Sequence, residues 1–472
     1  MVRKIIKHIS LLLLAVACTH GAIQEKSMDA ILSGVAWYDD REAMVSAHGA
    51  GILKEGDRYY LFGEFKRDHS NEFNGFSCYS STDLMNWKFE TIALPVQPDG
   101  RLGPNRVGER PKVMKCPKTG GFVMFMHTDD INYKDPAVGY ATSPTINGTY
   151  TFHGPLLHDG KRVKKWDMGA FQDDDGSGYL ITHSGSLYQL ADDYQSLTKQ
   201  IVKDMTHGCE APAIFKRDGL YYWLGSDLTS WERNDNYYFT AKSLAGPWEK
   251  QGIFAPKGKL TWNSQTTFVL PIVGSETTTF LFMGDRWAHP RQNSAATYVW
   301  QPLRFDAAGT LSLPEFQPSW KPDTQTGRWS PAEPKGKLIE IRDLQQLKKS
   351  EGWQSHTDAG GLSDLRSNVK GSCLTIQFTG TQIGLHGVAR PDGGFGQVQI
   401  KDANGDVVLT TIIESYCLYP EASLKFLSPI LKPGAYTLTV TVLGERFFWQ
   451  AKRAAYGSTN DYVSVQKLVI VE

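Results

Sequence analysis

The sequence predicts an all-β protein, a five-bladed β-propeller followed by a β-sandwich, and three observations carry that prediction. Aromatic residues make up 12% of the chain and are accompanied by 45 glycines, a composition suited to short pleated strands joined by tight turns. A phrase recurs along the first two thirds: an aromatic strand ending in a polar residue, a polar loop, a second strand, then a turn closed by Trp or Phe. Beyond residue 330 the phrase stops, and plain alternating strands with turn signals replace it. The 472 residues are ample for two or three domains with cores of their own.

At the N-terminus, Arg3, Lys4 and Lys7 precede the apolar run LLLLAVA and then Cys18. This is the layout of a secretory signal peptide over residues 1–17, with residues 18–27 as a tether. The run is too short to span a bilayer as a helix. From residue 28 to 330 the repeated units are GDRYYLFGEF with GFSCYSSTDLMNWKF (56–89), GGFVMFMHTDD with AVGYATSPTINGTYTF (120–152), GSGYLITHSGSLYQLADDYQSLT (176–198), DGLYYWLGSDLTSW with NYYFTAKSLAGPWE (218–249), and TTTFLFMGDRWAH with ATYVWQPLRFDAAGTLSL (277–313). Five units of roughly 50 residues, several strands each, have the period of propeller blades. A sandwich also supplies many short strands, but it does not repeat this phrase. Residues 331–337, rich in Pro and Lys, are expected to be a linker. Residues 338–472 hold LTIQF, QIGLHGV, GQVQIKD, DVVLTTII, YTLTVTV and YVSVQKLVIV, separated by turns such as Asn404-Gly405 and Pro433-Gly434. These predict a β-sandwich with helix only near DLQQLKK.

Charge and cysteine content narrow the function. Fifty Lys+Arg balance fifty Asp+Glu, which gives no electrostatic case for nucleic acid or an anionic membrane surface. Cys78, Cys116, Cys209, Cys373 and Cys417 are widely spaced and lack a CxxC pair, so neither a disulfide framework nor a zinc site is expected; they are expected to be small buried hydrophobes. Asp173, Asp174, Asp175 and Gly176 lack the acidic twelfth position of a calcium loop and are expected to form a solvated turn. No metal and no cofactor are expected.

The segment GCEAPAIFKRDGLYYWLGSDLTSW, residues 208–231, places Glu210 at the lip of a strand beside Cys209, Ala211 and Pro212. Neighbours this apolar desolvate a carboxyl and raise its pKa, as a proton donor working near neutrality requires. Taken alone, an edge glutamate solvated at a strand end explains the segment equally well.

The phrases AHGAGI (47–52), YYLFGE (59–64), GERPKV (108–113), HTDD…NY (127–133), WDMGAFQDDDG (166–176), EAPAIFKRDGLYYWLGSDLTSW (210–231), WNSQTT (262–267) and FMGDRW (282–287) together resemble glycoside hydrolase family 43, and within it the exo-β-1,3-galactanases. The C-terminal part is similar to jelly-roll modules often attached to such enzymes. The resemblance implies Glu210 as general acid and Asp167 as the carboxylate that orients it and tunes its pKa. Most of the wider family has an aspartate base in the first blade; SAHGAGILKEG has no carboxylate there. The galactanase subset shares that absence and has a glutamine in the fifth blade, matched by Gln265. An amide is a very poor base. Two routes remain open: Gln265 accepts a proton as its imidic-acid tautomer, or it positions a water while Glu109, expected to pair with Arg110, supplies basicity. Glu64, Glu109, Tyr133, Thr229 and Trp231 match positions lining the sugar pocket. Trp231 is expected to be the stacking platform ahead of Trp287, whose phrase fits core equally well, and His48 and His127 are expected to be satisfied histidines.

The implied function is release of galactose from β-1,3-galactan with inversion. An α-L-arabinofuranosidase or β-xylosidase of the same family, or a glycan-binding lipoprotein that has lost its base, remain alternatives. The end of the leader resembles a lipobox, which implies lipidation of Cys18 and an exported bacterial lipoprotein facing the periplasm or the cell surface. The partners expected are a polysaccharide or oligosaccharide substrate and the membrane through the lipid alone, for a monomeric protein. In the C-terminal part, Trp353, Tyr416, Tyr419, Phe447, Phe448 and Trp449 are expected to be mainly sheet core, with a platform that tethers polymer as the alternative.

Overall fold

The computed structural model describes residues 28–472 except 334, 345, 346, 452 and 453; the predicted signal peptide, the tether and Cys18 lie outside the described residues. The fold is all-β. Among the described residues, helix is limited to the turn Leu260–Asn263 and two 3-10 turns, Gly100–Leu102 and Ile341–Asp343. The last of these adjoins the DLQQLKK stretch, where Lys348–Lys349 is already a strand.

Five antiparallel sheets follow one another in chain order. Four have four strands and the fifth, Gln265–Val273, Thr278–Arg286 and Thr297–Pro302, has three. The innermost strands are His48–Glu55, Arg106–Lys115, Met168–Gln172, Glu210–Arg217 and Gln265–Val273. Each touches the next, and the fifth touches the first, so the sheets close into a ring. The N-terminal strand Ile31–Leu32 pairs with Ser319–Pro322, which pairs in turn with Trp329–Pro331. Pro331, at the start of the expected linker, is thus still paired, and Lys337 already pairs with Ile470.

Aromatic strands fill the gaps between neighbouring sheets. Phe215, Tyr222, Phe280 and Phe282 form one such cluster, and Tyr179, Ile214, Trp223 and Phe239 another. The Asp218-Gly219 turn joins its two strands with both residues left-handed, at φ +50° and +76°, which is why Asp-Gly is favoured there. Cys78, Cys116, Cys209 and Cys417 are buried free thiols, and Cys373 is half-buried. The Asp173–Gly176 turn is tied down by Lys216, whose Nζ lies 2.9 Å from Asp173.

The C-terminal strands form a five-stranded sheet in the order Lys348–Lys349, Cys373–Gly380, Gly434–Val442, Phe395–Asp402, Val407–Glu414, and a four-stranded sheet containing Lys337–Glu340, Lys467–Val471, Gln382–Ala389 and Glu421–Leu427. Their inner faces share one core around Leu374, Leu385, Val398 and Leu438. This part is docked onto the ring. Phe395, Tyr416 and Phe447 pack with Ala288, Ala295 and Ala296, and Arg291 binds Glu445 with contacts of 2.7–3.0 Å.

Candidate active site

Four of the five inner strands begin with a register irregularity: between His48 and Gly51, Glu109 and Lys112, Glu210 and Ala213, and Thr266 and Phe268. A bulge adds a residue, bends the strand and re-aims the side chain before it. In three of these bulges a left-handed residue makes the kink: Gly49 at φ +60°, Arg110 at +54° and Ala211 at +51°. The second and third of these bulges share the wording Glu-x-Pro, Glu109-Arg110-Pro111 and Glu210-Ala211-Pro212. A non-glycine residue held left-handed before proline is disfavoured, and such strain collects where a side chain must be aimed. The device directs Glu109, Glu210 and Gln265 into one cavity of about 700 Å³.

Glu64, Glu109, Tyr133, Asp167, Glu210, Trp231 and Gln265 line this cavity, with Lys66, Arg110, His127, Trp166 and Trp287. Thr229 does not. It is exposed, and its hydroxyl donates to the side-chain Oδ1 of Asn234, so it belongs to the Asp227–Asn234 loop beside the cavity.

The Glu210 carboxyl makes no hydrogen bond to another described residue. Desolvation and then the nearby charge of Asp167 push its pKa to about 8, against a smaller opposing pull from Arg110. It therefore carries a proton at neutral pH and faces open cavity. Asp167 accepts the Ala211 N–H at 2.8 Å and takes Arg110 Nε on its other oxygen at 3.0 Å. It fixes the backbone beside Glu210 and supplies part of the charge that keeps Glu210 neutral.

Arg110 departs from the expectation that it pairs with Glu109. Its left-handed backbone turns the guanidinium across the ring to Asp167 and to Gln265 Oε1, at 2.7 Å from NH2. Glu109 instead accepts from the Tyr133 hydroxyl at 2.8 Å and bonds His127 Nδ1 at 3.1 Å, with Lys66 Nζ at 3.9 Å. Burial alone would raise the Glu109 pKa, but His127, Lys66 and Tyr133 hold it down at about 2. His127 is depressed by burial but held up at about 9 by its hydrogen bonds to Asp129 and Glu109. Glu64 accepts the Arg110 N–H at 3.0 Å and pairs with Lys66; burial pushes its pKa up against that lysine.

Gln265 Oε1 accepts from Arg110 and from Trp287 Nε1, the latter at 2.9 Å. Both partners have only hydrogens to offer, which fixes the amide orientation. Nε2 is the free end. Trp287 is only 5% exposed and helps aim this amide.

Glu109, His127 and Asp167 present possible ligand atoms within 4.8 Å of one another. The charges argue against a metal: His127 is held as a cation, and Lys66 and Arg110 already neutralise the same carboxylates. Sequence reasoning missed Lys66, Trp166 and the segment Phe448–Gln450, all of which line the cavity. Trp166 had a signal, since it adjoins Asp167. Phe448 and Trp449 were candidates for a platform on the C-terminal part, but nothing in the sequence placed them at this cavity, because they arrive from the other end of the chain.

Known proteins resemble this chain in sequence and fold. The profile of glycosyl hydrolases family 43 matches residues 45–265. An exo-β-1,3-galactanase from Phanerochaete chrysosporium, solved with β-1,3-galactotriose, is 28% identical over 94% of this chain and 100% of that one, with a TM-score of 0.70. An exo-β-1,3-galactanase from Clostridium thermocellum is 30% identical over 73% and 86%, TM-score 0.59. A candidate exo-β-1,3-galactanase from Bifidobacterium bifidum is 38% identical over 61% and 96%, TM-score 0.55. No curated protein matches the chain significantly.

Proposed function

The chain belongs to glycosyl hydrolases family 43, and on that premise we propose that this glycosidase is an exo-acting, inverting enzyme that releases galactose from β-1,3-linked galactan. The ring of five sheets is read as a five-bladed β-propeller over residues 28–330, followed by a short linker and a jelly-roll sandwich over 338–472. The observation that carries the mechanism is the asymmetry of the cavity: one unbonded carboxyl, Glu210, held neutral, and an amide, Gln265, in place of a second free carboxylate.

Hydrolysis of an equatorial glycosidic bond needs a proton for the leaving oxygen and a water on the opposite face. Glu210 gives its proton to the bridging oxygen as the C1–O bond breaks. Gln265, pinned through Oε1, holds the attacking water with Nε2. A water bonding to an oxocarbenium-like carbon turns acidic as the new bond forms, so a weak acceptor suffices. Glu109 takes that proton as the C–O bond to water forms: its three donors make it a weak base but leave it an anion, whereas the imidic form of Gln265 must place a hydrogen on an oxygen already facing two donors. With no nucleophilic carboxylate, the product is the inverted anomer. Glu64 and Glu109 are placed to receive sugar hydroxyls, and Trp231 an apolar sugar face.

The deciding experiment is incubation with β-1,3-galactan, with chromatography of the products. Galactose as sole early product supports the reading. Release of arabinose or xylose from the matching polymers, with galactan untouched, replaces the sugar assignment; binding without any turnover makes the protein a glycan receptor. Export as a lipoprotein anchored at Cys18 belongs to the same proposal, and labelled fatty acid should be incorporated by the intact chain and not by Cys18→Ala.

A further inference from the structure

The C-terminal hairpin, Phe448–Ala451 paired with Ala454–Gly457, supplies three residues of the cavity wall: Phe448, Trp449 and Gln450. They share that cavity with Glu210 and Gln265, although more than 180 residues of chain separate them from Gln265. We propose that this hairpin builds the subsite for the sugar on the leaving-group side of the scissile bond, with Phe448 as its stacking face.

Three observations carry this. First, Phe448 is 43% exposed although both flanking rings are packed. Phe447 is fully buried with Tyr416 and Ala288. Trp449 stacks on Tyr456 with centroids 4.2 Å apart and planes 7° apart, and its ring lies 5.7 Å from that of Trp231. An apolar ring left open on the cavity wall is a contact awaiting a ligand.

Second, the hairpin is held in place. His289 Nδ1–H donates to the Phe448 carbonyl at 2.8 Å, the Arg233 guanidinium lies over the rings of Phe447 and Tyr416 at 4.8 and 4.9 Å, and Arg291 grips Glu445. A fixed aromatic face costs little ordering entropy on binding. Third, the cavity is polarised. Glu64, Lys66, Glu109, Arg110 and Asp167, linked by ion pairs, gather charge and hydrogen-bonding groups that match a terminal sugar with all its hydroxyls. Phe448, like Trp166 at 43% exposure, offers apolar surface suited to the face of the next sugar. Glu210, with no hydrogen-bond partner among the described residues, is the group that can reach the oxygen between the two. A volume of about 700 Å³ lies in the range of sites for ligands well above one hexose.

The inference rests on the glycosidase reading above, and the test separates the two. Phe448→Ala and Phe448→Trp are compared with the intact full-length chain on β-1,3-galactobiose, whose leaving group is a sugar, and on β-galactosyl fluoride, whose leaving group is not. For Phe448→Ala, the ratio of kcat/KM on disaccharide to kcat/KM on fluoride should fall roughly tenfold, the scale of one aromatic stacking contact, and Phe448→Trp should restore it. An unchanged ratio, whether both activities survive or fall together, overturns the subsite. If the intact enzyme instead turns over arabinosyl or xylosyl substrates, the sugar assignment fails and the same ratio is read with that sugar. Absence of turnover on every fluoride and disaccharide overturns both.

Discussion

Glu210 is a carboxyl without a hydrogen-bond partner among the described residues, desolvated by its surroundings and repelled by Asp167, so the fold favours its protonated form up to about pH 8. Replacing it with Gln removes the proton donor and keeps the shape. Turnover on galactan should fall by roughly 10² to 10⁴, and less on a substrate with a good leaving group, as steady-state kinetics would reveal. The wild-type kcat/KM should decline above about pH 8, a limb absent from the residual activity of Glu210→Gln. The stability sign follows from the same shift. The folded-state value lies above the ordinary 4.5, so the favourable contribution is full below about pH 4.5 and is lost as pH rises through about 8. Urea unfolding across that window should show wild type weakening relative to Glu210→Gln; parallel curves would mean that burial does not perturb this group. Gln265 carries the stereochemical prediction. Proton NMR of the first-formed galactose should show the α-anomer, whereas initial β-anomer would require a covalent intermediate on one of the paired carboxylates, Glu64, Glu109 or Asp167.

Strands in this protein are regular where they pack and irregular where they aim. At the mouth of the first inner strand, a Cβ on Gly49 would lie 2.2 Å from Glu64 Oε1, at a φ of +60°. Both the contact and the conformation exclude a side chain. Gly49→Ala should therefore destabilise the fold by about 2–4 kcal/mol and also displace Glu64, raising KM beyond what the stability loss explains. Thermal melting and kinetics on the same preparation would check both; an unchanged melting temperature would show that the bulge can relax. Gly169 is a parallel case in the third sheet, where a Cβ would meet Pro212 O at 2.3 Å. That glycine lets the inner strands bearing Asp167 and Glu210 approach closely enough for the Ala211–Asp167 hydrogen bond.

The two parts of the molecule are joined by contacts that a mobile appendage would lack. Phe447 and Tyr416 are buried against Ala288 and Ala295, Arg286 pairs with Glu421 at 3.3 Å, and Tyr419 donates to Lys259 O at 3.1 Å. Removing residues 338–472 would expose this apolar face and open one wall of the cavity. The truncated protein should aggregate or lose activity on short and long substrates alike, and the full chain should unfold in a single calorimetric transition. A soluble truncation with full activity on a disaccharide and a raised KM only on polymer would favour the tethering role for the module.

What the sequence determined by itself is what local chemistry dictates. The all-β class follows from aromatic strands punctuated by Asp-Gly and related turns, and the perturbed Glu210 from its apolar neighbours in CEAP. The phrases GERP, WDMG and WNSQTT mark Glu109, Asp167 and Gln265 as residues of interest, and the structure brings all three to one cavity. Only tertiary structure decided how those groups are wired. Arg110 abandons its sequence neighbour Glu109 because a left-handed backbone sends it to Asp167 and Gln265; His127, read as a lone satisfied histidine, is a cation clamped by Glu109 and Asp129. Phe447, Phe448 and Trp449 follow one another in sequence but divide between the core and the cavity wall, because docking onto the ring buries Phe447 against Ala288 and Tyr416 and brings Phe448 and Trp449 to the cavity. Spacing along a chain does not record which distant strand will lie opposite.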